Sequence, residues 1–519
     1  MLIELRAAED RLRGPKAVDA APILTAALKA ATDSPVDLSR LRVICDYIQY
    51  RQNFREPVVL RRVEPWAIDA GAPKDDGESW EIAIDLRRAK PDTVEAAIKS
   101  SLQQATAGKE PQRDTSAEDS SSPIEPRRDP SGESCGRVAL ESWGPGRRSL
   151  IWGFNSLYWK ALSLWEQATG KGYESALPGG ESDARNVEAA RDLILKLFAL
   201  WDSLAARRAL PEELYVLELG VGNGNQARVF LDELRRLDRE RGRGDYYRRL
   251  HYLMGDYSPH VLELARKNVA HHAENVSSLV LDALRPSETL GFLRYKAFLV
   301  YISNVYDNLP TDEMVRIGGH MFQVETRAFL SQTDAEHLAG SVNARPEELP
   351  ELIARLLRLG PELLSEVLPR YFPTPADSVA FWRTAWDGLR LDERYVPMVE
   401  LDTYEIAPEV GGELLRPIAL AAGDLRMHIS NGAAASFADT LQLLHPHGVL
   451  QCHDLFVTDL RQYLNGFRGP GKYDGSVVNW VNGRLLAAIG SRRGFDVTFA
   501  PFAHRTGANV LTMTAHARD

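Results

Sequence analysis

Cysteine is scarce in this 519-residue chain: Cys45, Cys135 and Cys452 stand far apart, and no CxxC pair occurs. That excludes a disulfide framework and a cysteine zinc site. There is no run of 18 apolar residues, and the opening MLIELRAAEDRLRGPK is charged and lacks an apolar segment. A membrane span and a secretory signal are therefore not expected, and a soluble, cytoplasmic protein is. Positive charge is not in excess either, since Lys and Arg number 62 against 72 Asp and Glu, a net charge of −10. A dedicated nucleic-acid binder wants a basic face to meet phosphates, so none is expected here. Internal repeats are missing as well. What is present is an ordinary globular composition, 44% hydrophobic and 26% charged, over a length that suits two or three domains.

The pattern divides the chain. Residues 1–103 read as an accessory α+β unit, with helices in PILTAALKAA and DTVEAAIKSSLQQ and strands in PVVLRRVEPWAID and WEIAIDLRR. Residues 104–147, rich in Pro, Ser and charge, lack the large apolar side chains that offset ordering entropy and read as a disordered linker. Residues 148–212 are a helical lead-in with many aromatics, which suit core packing. From 213 to 329 strands and helices alternate: ELYVLELG, LHYLMGDY, SSLVLDAL and KAFLVYISNVYDN are strands, and a helix opens at Ser258-Pro259. Residues 330–425 read as a mainly helical insertion, and 426–519 return to the alternation. Such alternation predicts a doubly wound, mostly parallel α/β sheet, Rossmann-like, interrupted by a helical cap.

Parallel sheets bind ligands at the carboxyl ends of their strands. There the first strand gives VLELGVGNG, with Glu218, Gly220, Gly222, Asn223 and Gly224. The second gives Asp256, Tyr257 and Ser258, the third Asp282 and Ala283, and the fourth Asn304 and Asp307. Asp256 suits the two hydroxyls of a ribose, which NAD and S-adenosylmethionine (SAM) both carry. The loop is G-x-G-x-G rather than G-x-G-x-x-G, with Asn at 225. Glu218 would repel a pyrophosphate and attract the ammonium of SAM, and Asp282 suits the exocyclic amine of adenine. The glycines also suit a purely structural turn, and Asp282 before Ala-Leu also suits a helix cap.

These stretches resemble a family. ELGVGNG is similar to the first motif of class I SAM-dependent methyltransferases. DYSPH and NVYDNLP resemble the E-x-S-P and N-E-F-x-D-A-L-P segments of the MidA-like methyltransferases, which are linked to respiratory complex I assembly. GVLQCHDLF is similar to that family's glycine-to-Asp-Tyr-Gly strand, and the hairpin of FDVTFAPF and NVLTMTA resembles the end of a methyltransferase sheet. The resemblance covers about 210–330 and 425–515. It departs at Asp256, where the family has Glu, and after Asp454, where Leu455-Phe456 replace Tyr-Gly. It implies SAM as cofactor and a nitrogen or oxygen acceptor, with a protein arginine among the candidates.

Methyl transfer requires the nucleophile opposite the sulfonium and a base only where a proton must leave. Asn304, Asp307 and Asp454 are the candidate catalytic residues, with Tyr306 and Asn308 beside them. An arginine acceptor would need carboxylates around it, because its charge persists. His453 suits packing better than base catalysis. His271-His272 and His445-x-His447 lack a third ligand at useful spacing, so no metal is expected. The basic stretch at 235–249 is laced with acids and suits a solvated helix. Two rivals stand beside the enzyme: an NAD-type oxidoreductase, and a methyltransferase fold kept as a binding or assembly module.

Overall fold

The computed structural model describes residues 2–6, 20–34, 37–46, 52–54, 56, 58–63, 79–86, 89–107, 137–170, 172, 186–242, 245–398, 400–421, 423, 425–464, 469–504 and 510–518. Most of the expected 104–147 linker lies outside the described residues.

At the centre is a seven-stranded sheet. Its strands are β1 (Leu214–Leu219), β2 (Leu250–Asp256), β3 (Val276–Val280), β4 (Ala297–Ser303), β5 (Leu444–Asp454), β6 (Phe495–Pro501) and β7 (Leu511–Ala517). They lie in the order 3-2-1-4-5-7-6. All neighbours run parallel except at β7, which is antiparallel to both β5 and β6. The middle strands are nearly continuous hydrophobic runs because helices cover both faces. In β4, AFLVYIS, every residue but the last is buried. Helix α1 (Asn225–Glu240) turns Ala227, Phe230, Leu231 and Leu234 inward, one stripe at helical spacing. Helix α2 (Pro259–Asn268) begins where Ser258 accepts a hydrogen bond from the Val261 N–H at 3.3 Å, with Pro259 at the first helical position.

A second, antiparallel sheet stands beside the first. It is built from Glu313–Ile317, His320–Ser331, Arg390–Pro397 and Leu425–His428. Residues 330–425 are therefore not helical throughout. Helices Gln332–Ser341, Leu349–Leu359, Pro361–Val367 and Pro375–Gly388 fill one excursion from this sheet, and its strands start before residue 330. Two further short strands, Arg137–Ala139 and Gly144–Pro145, pair with His320–Ser331, so the carboxyl end of the expected linker range is part of a sheet. Within the second sheet Arg426 is buried between Glu313 and Glu393. Its Nε donates to Glu313 at 2.7 Å and its Nη1 to Glu393 at 2.9 Å.

The aromatics of 148–170 form core. Trp152, Phe154, Tyr158 and Trp165 pack with Trp382 and Trp386 of the inserted helices. The amino-terminal unit is a four-stranded sheet, Leu2–Arg6, Leu41–Asp46, Ser79–Asp85 and Val58–Val63 in that order, packed on helices Ala21–Thr32 and Pro91–Ala107. Its first two strands were not apparent in the sequence. This unit is stitched to the rest: Gln52–Asn53 pairs with Gly471–Tyr473, and the Tyr395 hydroxyl donates to buried Glu81 at 2.8 Å. Among the described residues no helix is long and apolar enough to cross a membrane.

Candidate active site

The loop after β1 carries three glycines in the left-handed region, with φ of 73° at Gly220, 55° at Gly222 and 78° at Gly224. Only glycine adopts this conformation without strain. Close packing adds a second reason at two of them. A Cβ on Gly220 would lie 2.3 Å from Val305 Cγ2, and one on Gly224 2.8 Å from the Ala265 backbone. The loop thus presses against the β4 loop on one side and α2 on the other. Asn223 turns its side chain to the start of α1, accepting from the Asn225 N–H at 3.1 Å.

Asp256 ties this loop to β2. One carboxylate oxygen accepts from the Gly222 N–H at 3.2 Å and the other from the Ser258 N–H at 2.9 Å. Burial raises its pKa to about 6, against the pull of those two donors. Ser258 is fully buried as the α2 cap. Tyr257 lies beneath the Lys160 ammonium, 4.9 Å from the ring centre. Glu218 is buried and accepts from the Tyr252 hydroxyl at 2.5 Å. Burial, with a smaller push from Asp256, raises it to about 8. Without a cation nearby Glu218 therefore holds its proton at neutral pH. Tyr252 escaped notice in the sequence. Its signal is period two, because residues 252, 254 and 256 share one face of β2.

Asp282 stands exposed after β3 and accepts from the Leu284 N–H at 2.9 Å, which closes a turn rather than capping a helix, since the next helix, Pro286–Leu290, has Arg285 at its cap. Asp282 and Ala283 make no side-chain contact with the glycine loop among the hydrogen bonds of the described residues. The coupling runs through backbone, where the Leu281 N–H donates to the Asp256 carbonyl at 3.0 Å.

The β4 loop closes the other side. Asn304 has φ of 51° and its N–H donates to the His453 carbonyl at 2.9 Å. A non-glycine residue held there marks a site whose surroundings over-determine it. Asp454, fully buried, accepts from the Tyr306 N–H at 2.8 Å, the Asp307 N–H at 3.3 Å and the Leu455 N–H at 2.7 Å. Its carboxylate shapes the loop. Asp307 is buried and accepts from Asn308 Nδ2 at 2.8 Å. Burial first, and Asp454 second, push its pKa well above the carboxylate range. Nearby, Asn308 Oδ1 and Asn479 Nδ2 are buried without partners, while the Asn479 N–H donates to the Asp307 carbonyl at 2.8 Å. Asn155 joins this wall, donating to the Asn308 carbonyl and accepting from the Val477 N–H. Asn155 and Asn479 come from segments remote in sequence, so only the fold reveals them. His453 is spanned by Gln451 and Thr512 at 3.0 and 2.9 Å, a satisfied packing residue.

The strand order 3-2-1-4-5-7-6 with β7 alone reversed is the class I methyltransferase fold. It differs from the dinucleotide-binding order 3-2-1-4-5-6. No family model and no curated protein matches the chain. Among solved structures it is similar to a candidate methyl transferase of Burkholderia thailandensis bound to S-adenosyl-homocysteine. Identity there is 13%, covering 72% of this chain and 88% of that one at a TM-score of 0.43. It is also similar to 1,6-didemethyltoxoflavin-N1-methyltransferase of the same organism, with 9% identity, 69% and 89% coverage and a TM-score of 0.29. Likeness this distant carries no chemistry across, and the site is argued from its own residues.

Proposed function

We propose that the chain is a SAM-dependent methyltransferase acting on a nitrogen or oxygen nucleophile. One observation carries the reading. Glu218, Asp256 and Asp454 stand at the carboxyl ends of β1, β2 and β5, Asp307 lies in the turn after β4 between them, and burial raises the pKa of each. Crowded, desolvated carboxyls are stabilised by a cation. SAM brings a sulfonium and an ammonium, whereas a dinucleotide brings a pyrophosphate that the same acids repel. The residues fit the cofactor in a second way: Asp256, bonded to the Gly222 N–H of the loop, keeps lone pairs for ribose hydroxyls.

When bound, SAM supplies the electrophilic methyl. The chain's own part is placement. Asp454 fixes the β4 loop, and Asp307, with Asn308 and Asn479 beside it, meets the acceptor. A cationic acceptor would favour the ionised form of Asp307, whose proton would leave to solvent, and would be oriented by the carboxylate that results. A guanidinium, implied by the MidA-like resemblance, is therefore one candidate and a protein one candidate carrier.

The test is to incubate the full chain with methyl-labelled SAM and cell lysate, and to identify labelled products by mass spectrometry. Wild type should label a product. Asp307→Asn should lose labelling while keeping SAM affinity within about twofold. Tight SAM binding with no labelled product from any fraction would favour the binding-module reading instead.

A further inference from the structure

The two adjacent histidines acquire in three dimensions the partner that their sequence neighbourhood lacks. Asp232 lies on the second turn of α1, and His271 and His272 lie on the 3-10 turn after α2. Asp232 Oδ1 is 3.0 Å from His271 Nε2 and 3.1 Å from His272 Nε2, and the three donor atoms all fall within 4.8 Å of one another. Donors bound tetrahedrally to zinc at 2.0–2.1 Å stand about 3.3 Å apart. Both carboxylate-to-imidazole spacings are thus within a few tenths of an ångström of metal-ready, and the two imidazole nitrogens stand no more than 4.8 Å apart.

The surroundings are built as a ligand's supporting shell is built. His272 is fully buried, and its Nδ1 meets the Tyr247 hydroxyl at 2.6 Å, which leaves Nε2 aimed at Asp232. Tyr247 is itself fixed, since its N–H donates to Asp238 at 2.8 Å and its carbonyl accepts from Asn275 at 2.9 Å. His271 and Asp232 are each half-exposed, which opens a path for an ion. A competing cation among the described residues is Arg235, 3.4 Å from the same Asp232 oxygen on a long side chain that can swing away.

We propose that Asp232, His271 and His272 form a site for a divalent transition metal of the zinc type, with an open fourth position. Asp232 sits eight residues past Gly224, or about 12 Å along the helix, so the ion would not touch the transferred methyl. It would instead staple α1, which follows the glycine loop, to the segment that follows the Asp256 strand.

The test uses the full chain, stripped with a chelator and titrated with zinc chloride by calorimetry, and with cobalt for its visible spectrum. One equivalent of zinc should bind, raise the melting temperature, and give a tetrahedral cobalt band. His271→Ala and Asp232→Asn, both at half-exposed positions, should abolish all three signals. Tyr247→Phe removes one hydroxyl and should weaken binding by about 10- to 100-fold. No saturable binding would overturn the proposal and leave a plain hydrogen-bonded triad. Unchanged binding in both His271→Ala and Asp232→Asn would also overturn it, and would move the metal to His445 and His447.

Discussion

Replacing Asp256 tests the cofactor reading most directly. The carboxylate makes two backbone hydrogen bonds, to Gly222 and Ser258, and offers its remaining lone pairs to a ribose. A hydrogen bond to a charged acceptor contributes about 1.5–3 kcal/mol. Asp256→Ala removes the ribose bond and frees the Gly222 N–H that anchors the loop. SAM affinity should fall about tenfold to a hundredfold, at about 1.4 kcal/mol per factor of ten. Asp256→Asn should also weaken binding, because one oxygen remains for two backbone donors and the new NH2 faces a donor.

The pH dependence sharpens this test. In the ligand-free chain Asp256 titrates at about 6 and Glu218 at about 8, both raised by burial. Raised carboxyl pKa values mean the folded chain keeps protons that the unfolded chain has lost. Stability from these two groups therefore falls as pH rises, from about 4 to about 6 for Asp256 and from about 4.5 to about 8 for Glu218. A cationic, hydroxyl-bearing ligand prefers both carboxylates, so binding releases protons. SAM affinity should rise with pH in two steps, near 6 and near 8. Glu218→Gln should erase the upper step, and Asp256→Asn should erase the lower and move the upper one down, because the Asp256 charge is part of what raises Glu218. Calorimetry between pH 5 and 9, in buffers of different ionisation enthalpy, reads both affinity and protons. A change below twofold in folded Asp256→Ala, or flat affinity across the range, would refute the reasoning.

Gly220→Ala forces a Cβ against Val305 at a φ of 73°, a strain of about 1–2 kcal/mol before the clash is counted. SAM affinity should drop at least about tenfold by titration, and Val305→Ala in the same chain should restore part of it. Arg426→Ala removes the buried cation that Glu313 and Glu393 share, which should cost about 3–5 kcal/mol by urea unfolding, whereas adding Glu313→Gln and Glu393→Gln should recover much of that. A loss below about 1 kcal/mol in Arg426→Ala would show that water reaches this triad.

The central sheet was legible because its strands are short apolar runs closed by turn chemistry, and because ligand residues cluster where those runs end. Gly220, Gly222, Gly224 and Asp256 fall together in space as their order along the chain implied. The second sheet was passed over. The helices between 332 and 388 dominate the pattern there, although Phe322, Val324, Thr326 and Ala328 do alternate in a strand-like way. Asp454 was singled out for chemistry, yet its three backbone donors make it the post that holds the β4 loop. Nothing in GVLQCHDLF says where its carboxylate points. The Asp232–His271–His272 cluster was invisible for a related reason. Its members stand 39 and 40 positions apart, and only helix packing joins them.

The pairing of Asn53 with Gly471 has a consequence for how the chain is made. The two residues are 418 positions apart, which at about 5–20 residues per second separates their synthesis by roughly 20–80 s. Throughout that interval the ribosome has delivered the amino-terminal sheet but not the strand that anchors it. The unit with Cys45 and Glu81 in its interior must then wait, folded or held, with its docking edge uncovered. Such a long-range closure is slow in its own right, because the entropy of closing the loop is lost before any contact repays it. Docking of the first domain is therefore expected to be a late event, waiting at least until the segment around Gly471 has been made.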